Sequence, residues 1–478
     1  MDRCFKHLEI AKARLAEMKS TLHLSRRLST TERGMGLGYF KPPNNKQRNE
    51  TMKTNNNRRK KEMAPFIGAI RLALSVILLG GTGAFAQTLT TLRDFGSNTD
   101  GQNPQAGVVF DQRGHLYGTA ALGGVDGNGI VYRLTPPEGT GGPWRGSVLH
   151  KFAGQPDGAV PVSSLTISPS GDLFGTTEEG GAHNKGTVFG LQPPQNPGDP
   201  WRERVFYSFG SSATDGVVPN SELLPANPGF YGVTREGGAH GFGTVFLVTP
   251  QAGGGTNWSE TILYSFAGSG DAAFPSGGLV ADQAGNLYGV TLVGGANDLG
   301  AVYQLSPPTT EGGVWTETVI FSFSGSDGTL PFGRLQFDET GAIYGTTTSG
   351  GSGQAGTVFK LTQQSEPGVS WNESVLYNFS GGRDGGSPFA GVVIDNRGTL
   401  FGTASTGGAG HPLPGGVIFR LTPPASEGVQ WTETVLHAFG GPDGFRPLSR
   451  LVRRSGSFYG TTSSGGLNGT GTVFVLTP

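Results

Sequence analysis

The sequence predicts an all-β fold, a seven-bladed β-propeller of four-stranded blades spanning residues 87–478. Three columns of residues carry that prediction. An aromatic–glycine pair recurs at Tyr117–Gly118, Phe174–Gly175, Tyr231–Gly232, Tyr288–Gly289, Tyr344–Gly345, Phe401–Gly402 and Tyr459–Gly460, at intervals of 57, 57, 57, 56, 57 and 58 residues. All six tryptophans (Trp144, Trp201, Trp258, Trp315, Trp371 and Trp431) form a second column. The proline of a DGxxP stretch forms the third, at Pro104, Pro161, Pro219, Pro275, Pro331, Pro388 and Pro447. Self-similarity at a fixed period is the signature of a repeat architecture.

Each repeat reads as four short strands. "GLVADQAGNLYGVT" (Gly278 to Thr291) is two strands joined by an Asp-x-x-Gly turn, a loop short enough for a hairpin. "GAVYQL" is the third, reached through a GG loop, and "WTETVIFSF" the fourth, reached through a proline-rich loop. Their Val, Tyr, Phe and Thr suit pleated surfaces, and the nearly continuous apolar runs suit sheets packed on both faces. No window after Ala86 carries sustained helical periodicity. Four strands per unit and seven units indicate blades around a central channel; a stacked solenoid is the runner-up, and would leave its last strands uncovered.

The final repeat, ending "GTVFVLTP" at Pro478, lacks its fourth strand. "QTLTTLRDF" (Gln87 to Phe95) stands 57 residues ahead of "WRGSVLHKF" (Trp144 to Phe152) and is therefore one spare fourth strand. The expectation is that it pairs with the last repeat and closes the ring, removing an edge that would otherwise invite association.

Residues 1–86 are of another kind. They hold 17 of the 35 Lys+Arg and 6 of the 36 Asp+Glu, a net of +11, which leaves −12 for the rest. Residues 63–86 have the layout of a secretory signal peptide: a basic approach, an apolar run from Leu72 to Gly81, and Ala84-Phe85-Ala86 before Gln87. The run is short for a membrane span, so cleavage is expected. Residues 1–62 read as a basic, disordered extension or as a start assigned upstream, with Met1, Met52 and Met63 as candidate starts. Cys4 is the only cysteine, so the body has no disulfide and relies on burial and backbone hydrogen bonding.

The recurring pattern "GG…GTVF.L.P…W.E.VLYSF.G..DG..P..GL..D..GNLYGTT" resembles the Gloeo_Verruco (GloVer) tandem repeat of bacterial secreted and surface proteins, over essentially all of residues 87–478. The resemblance implies a bacterial, extracytoplasmic protein, secreted to the periplasm or cell exterior, and implies no established activity. With no sorting motif or hydrophobic tail before Pro478, release rather than tethering is expected.

Two sets of residues are candidates for a site. The first is the aspartate column Asp100, Asp157, Asp215, Asp271, Asp327, Asp384 and Asp443, four residues before each proline. Seven carboxylates at one channel mouth would bind ligand, favouring sugar hydroxyls or a hard cation such as calcium; the competing reading is ordinary Asp-Gly turn chemistry. The second is where the repeats diverge, in the GG loops: His183, Glu236, His240 and His411 would be catalytic candidates, as metal ligands or an acid/base pair, although no metal-ligand spacing accompanies them. The Glu of WxE (Glu203, Glu260, Glu317, Glu373 and Glu433) reads as a solvated strand edge, and the Trp column as packing between blades. A nucleophile elbow, a phosphate-cradling loop before a helix and paired Cys motifs are absent, and an acidic body without a basic stripe argues against nucleic acid.

The reading is an exported, non-enzymatic binding or scaffold module for glycans or cell-surface proteins. It is expected to be monomeric, without a membrane span after cleavage and without a cofactor, calcium being the one candidate. The alternatives are an extracellular polysaccharide lyase or hydrolase using channel-mouth residues, and a purely structural surface protein.

Overall fold

The computed structural model describes residues 87–477, apart from 97–98, 140–141, 197, 252–257, 269, 311, 365–370, 409–413 and 427–429. The leader, the signal-peptide boundary and His411 lie outside the described residues. Seven antiparallel sheets follow one another along the chain, and no helix occurs among the described residues. Within a sheet the strands run from inner to outer in chain order. The fourth blade, for example, is built of Ala272–Ala281, Leu287–Gly294, Ala301–Ser306 and Thr316–Ser322. In the third blade the inner strand is broken into Gly216–Pro219 and Leu224–Ala226. None of the described helices is long and apolar enough to cross a membrane, because there are none.

The seventh blade takes its outer strand from the other end of the chain. Thr88–Asp94 pairs antiparallel with Thr472–Thr477, in register from Thr88 opposite Thr477 to Asp94 opposite Thr472. A register shift between Thr91 and Arg93 skips Leu92. Every other outer strand shifts at the same place, as at Ile320 between Val319 and Phe321. The spare strand therefore reproduces its siblings down to the bulge, which increases local twist and re-aims the residue that follows.

What joins one blade to the next explains the columns. The Phe ending each outer strand is fully buried and meets, edge to face, an aromatic of the next blade's third strand: Phe152 on Phe189 at 5.0 Å, Phe266 on Tyr303 at 5.0 Å, and Phe95 on Tyr132 at 5.2 Å. That aromatic lies across the glycine of the aromatic–glycine pair. A Cβ at Gly175 would stand 2.8 Å from the Phe189 ring, so any larger residue would displace it. The tryptophans pack backwards onto the preceding blade, Trp201 on Tyr117, Trp315 on Tyr231 and Trp144 on Tyr459. The prolines press on the glycine that opens the previous third strand; at Gly471, with φ of 105°, a Cβ would lie 2.5 Å from Pro104 Cδ. Buried threonines donate across the boundary as well, Thr176 to Ser221 O and Thr461 to Ala106 O. Four of these contacts join the seventh blade to the first, so that boundary is packed like the rest.

Candidate functional site

The aspartates of the DG loops are held by their own blades. Asp271 accepts from Tyr264 Oη at 3.0 Å, from Ala267 N at 2.7 Å and from Ala272 N at 2.7 Å. Asp215 and Asp384 repeat the arrangement with Tyr207 and Tyr377, and Asp157 and Asp443 with His150 and His437. Asp327, whose blade carries Phe321 in the Tyr264 column, accepts from Ser324, while Asp100 is paired with Arg93. The main chain of the same loops binds the GG loops, as in Gly238 N donating to Asp215 O at 2.9 Å, so both loop sets share one face. For six of the seven carboxylates, all but Asp327, a side-chain partner thus lies on an outer strand, at a cleft between successive blades.

Into those clefts the next blade sends the Glu of WxE. Rather than lying on a solvated edge, Oε1 of Glu203, Glu260, Glu317, Glu373 and Glu433 is shielded from solvent and has no hydrogen-bond partner. Burial and then the facing aspartate push these carboxyls up, to about 7 for Glu203, Glu373 and Glu433 and about 8 for Glu260 and Glu317. The sequence reading missed this because the outer strand looks like a free edge until the neighbouring blade is in place. His183 and His240 stand exposed on adjacent GG loops, and Glu236 is half-buried beside Arg235.

The central channel is where the blades differ. Its lining comes from inner-strand positions one to three residues after the proline column, and from Glu178 and Arg235, which follow Thr177 and Thr234 of the second strands. At the third position after proline stand Gly107, Ser164, Glu222, Gly278, Arg334, Gly391 and Arg450. Arg334 reaches from the fifth blade to the third, donating Nη1 to Glu222 Oε1 at 3.2 Å and Nε to Leu279 O at 3.2 Å. Arg450, from the seventh, donates to Gln336 of the fifth. Burial, with Arg334 adding like charge against the pull of Glu222, lowers the Arg450 guanidinium from its ordinary value.

Nearer the GG loops, Arg235 of the third blade donates Nη1 to Glu178 Oε1 of the second at 2.8 Å. Its side chain is 7% exposed, and its Nε and Nη2 have no hydrogen-bond partner. A cavity of about 160 Å³ opens here. Polar groups line one side (Gln105, Ser164, Asn220) and Phe332, Phe389 and Leu448 the other, the two Phe rings 5.4 Å apart. Two carboxylates and three guanidiniums line the cavity, and the Glu236 carboxylate stands 3.9 Å from Arg235 Nε. None of these residues was singled out from the sequence. The signal that could have found them is the divergence of one inner-strand column whose neighbours are nearly invariant.

A family model described as a Gloeobacter/Verrucomicrobia repeat matches residues 82–198, 146–359 and 335–478. Among curated proteins, none matches this sequence. Several solved structures are similar in fold. The extracellular domain of a candidate one-component system from B. thetaiotaomicron is 11% identical with a TM-score of 0.49, over 82% of this chain and 41% of that one. A candidate 6-phosphogluconolactonase from Bacteroides fragilis is 12% identical with a TM-score of 0.46, over 73% and 87%. Trypanosoma rangeli sialidase is 10% identical with a TM-score of 0.38, over 82% and 59%. This chain thus spans under half the length of the first.

Proposed function

The chain belongs to the Gloeobacter/Verrucomicrobia repeat family, and on that premise we propose that it is an exported, non-catalytic binding module whose ligand enters the central channel from the GG-loop face. One observation carries the proposal. Arg235 is buried in the channel wall with only one of its nitrogens hydrogen-bonded. A buried guanidinium left short of acceptors is costly, and a ligand oxygen supplied from the channel would complete it. Arg is the side chain best shaped to hold a carboxylate.

The opposite wall adds shape. Phe332, Phe389 and Leu448 offer an apolar face, and a cavity near 150 Å³ is about the size of one six-membered ring. A ring bearing a carboxylate, presented by an acidic glycan at the cell exterior, fits both walls. Isolated blades would not create this site, because its charged groups come from the second, third, fifth and seventh.

The test is a glycan array followed by calorimetry. Oligosaccharides containing uronic acid are expected to bind, neutral analogues to bind at least tenfold more weakly, and Arg235→Lys to lose most of the affinity while staying folded. Equal binding of neutral and acidic glycans would overturn the ligand class. No binding of any glycan would favour the scaffold reading, and turnover of a bound oligosaccharide the enzymatic one.

A further inference from the structure

The cleft between the first and second blades differs from its six siblings in one respect. There the end of the first outer strand carries His150, the loop after it Asp157, and the outer strand of the second blade Glu203. Ligating atoms of all three lie within 4.8 Å of one another, and His150 Nε2 is 3.0 Å from Asp157 Oδ2. Among the described residues this is the one group of three or more His, Cys, Asp or Glu side chains so placed.

The siblings show what each component does alone. Tyr207, Tyr264, Phe321 and Tyr377 occupy the His150 column beside Glu260, Glu317, Glu373 and Glu433, so those clefts hold two carboxylates and no imidazole. His437 faces Asp443 at 2.6 Å, but the Glu column there is Leu89. In the remaining cleft Arg93 pairs with Asp100, and its guanidinium fills the space that a side chain at Gly146 would need. Only His150, Asp157 and Glu203 combine one nitrogen with two carboxylates.

We propose that His150, Asp157 and Glu203 bind a divalent transition metal, Zn²⁺ by preference, between the first two blades. One imidazole nitrogen and two carboxylate oxygens suit Zn²⁺, which accepts both ligand types at about 2.0–2.2 Å. Calcium, which takes six to eight oxygens, matches neither the imidazole nor the small number of donors. The ligands are positioned before the metal arrives. Asp157 Oδ1 accepts from Gly158 N at 2.6 Å and Oδ2 from Ala153 N at 3.0 Å, while His150 and Glu203 are fixed on strands. Glu203 Oε1 is buried and has no hydrogen-bond partner. Side-chain exposures of 20% for His150 and 16% for Asp157 leave the metal a route in and a position open to water.

A bound ion would clamp one blade boundary by joining the outer strands on either side. The site is independent of the channel, and its test does not involve a glycan.

The experiment measures Zn²⁺ uptake by the chelator-treated, dialysed protein, using calorimetry and metal analysis. His150→Tyr introduces the side chain that three sibling clefts already accommodate, so the fold should persist. It is expected to bind one equivalent fewer than the natural protein and to lose the rise in Tm produced by Zn²⁺. Leu89→Glu supplies the missing carboxylate beside His437 and Asp443 and is expected to gain one equivalent. Equal uptake by the natural protein and His150→Tyr would overturn the proposal, as would no uptake by either. A folded Leu89→Glu variant that gains no equivalent would overturn the role given to Glu203.

Discussion

The channel and the clefts between outer strands are assembled from the same seven repeats, yet one is asymmetric and the other nearly sevenfold. At the blade boundaries every repeat supplies the same parts: a buried Phe, an aromatic lying over a glycine, a proline against another glycine, and an aspartate capping its loop. In the channel, neighbouring positions on the inner strand carry Gly, Ser, Glu or Arg according to the blade. The physical reason is radial. A boundary must satisfy the same twist and spacing seven times, so one solution recurs. Seven inner strands converge on one channel, where equal charges would repel and a single ligand requires different groups from different directions. Identity among the copies thus marks what holds the ring, and difference marks where a ligand would be read.

The largest effect expected from breaking this contrast lies at the boundaries. Phe95→Ala, at the junction made by the two chain ends, and Phe266→Ala, between the third and fourth blades, should each cost about 3–5 kcal/mol by denaturant titration. Both rings are fully buried in the same edge-to-face geometry. A junction costing far less at Phe95 would mean that the terminal strand is held more loosely than the others.

A smaller and different response is expected in the channel. Arg235→Met leaves Glu178, 14% exposed, without its ion-pair partner and should cost about 2–3 kcal/mol. Adding Glu178→Gln should recover most of that stability without restoring ligand affinity. If the double variant were as unstable as the single one, the pair would be structural rather than a device for binding.

The smallest effect sharpens the view of the clefts. Five Glu carboxyls are raised, to about 7 or 8, so the folded protein holds protons that the unfolded chain has already released above its ordinary carboxylate pKa. Stability from these groups is therefore fully present below about pH 4.5 and is lost as pH rises through 7 to 8. Tm should fall by several degrees between pH 5 and pH 8.5, and substituting Gln at all five positions should flatten that decline. A Tm that rises over the same interval would mean that the carboxyls are ionised and stabilised by another partner.

Much of the architecture was legible because a repeat states its constraint seven times. Trp201 could be read as inter-blade packing, and Thr88–Asp94 as the missing outer strand, from their place in a column alone. Asp271 could be read as a turn residue, but not as the acceptor for Tyr264, because the register shift that aims Tyr264 at it belongs to a strand pair rather than to a run of residues. Glu317 read as solvated because its cover, the loop containing Asp271, belongs to the preceding blade.

What the sequence determined by itself was periodic: the number of blades, the strands in each, their order from channel to rim, and the pairing of the first strand with the last. These follow from local hydrophobic pattern and turn chemistry, repeated until no other assembly satisfies every copy. Tertiary structure alone decided which unlike residues meet. Arg334 finds Glu222 across 112 positions and Arg450 finds Gln336 across 114, because each spans a channel whose width is set by the closure of all seven blades. No pattern within one repeat encodes a distance across the ring.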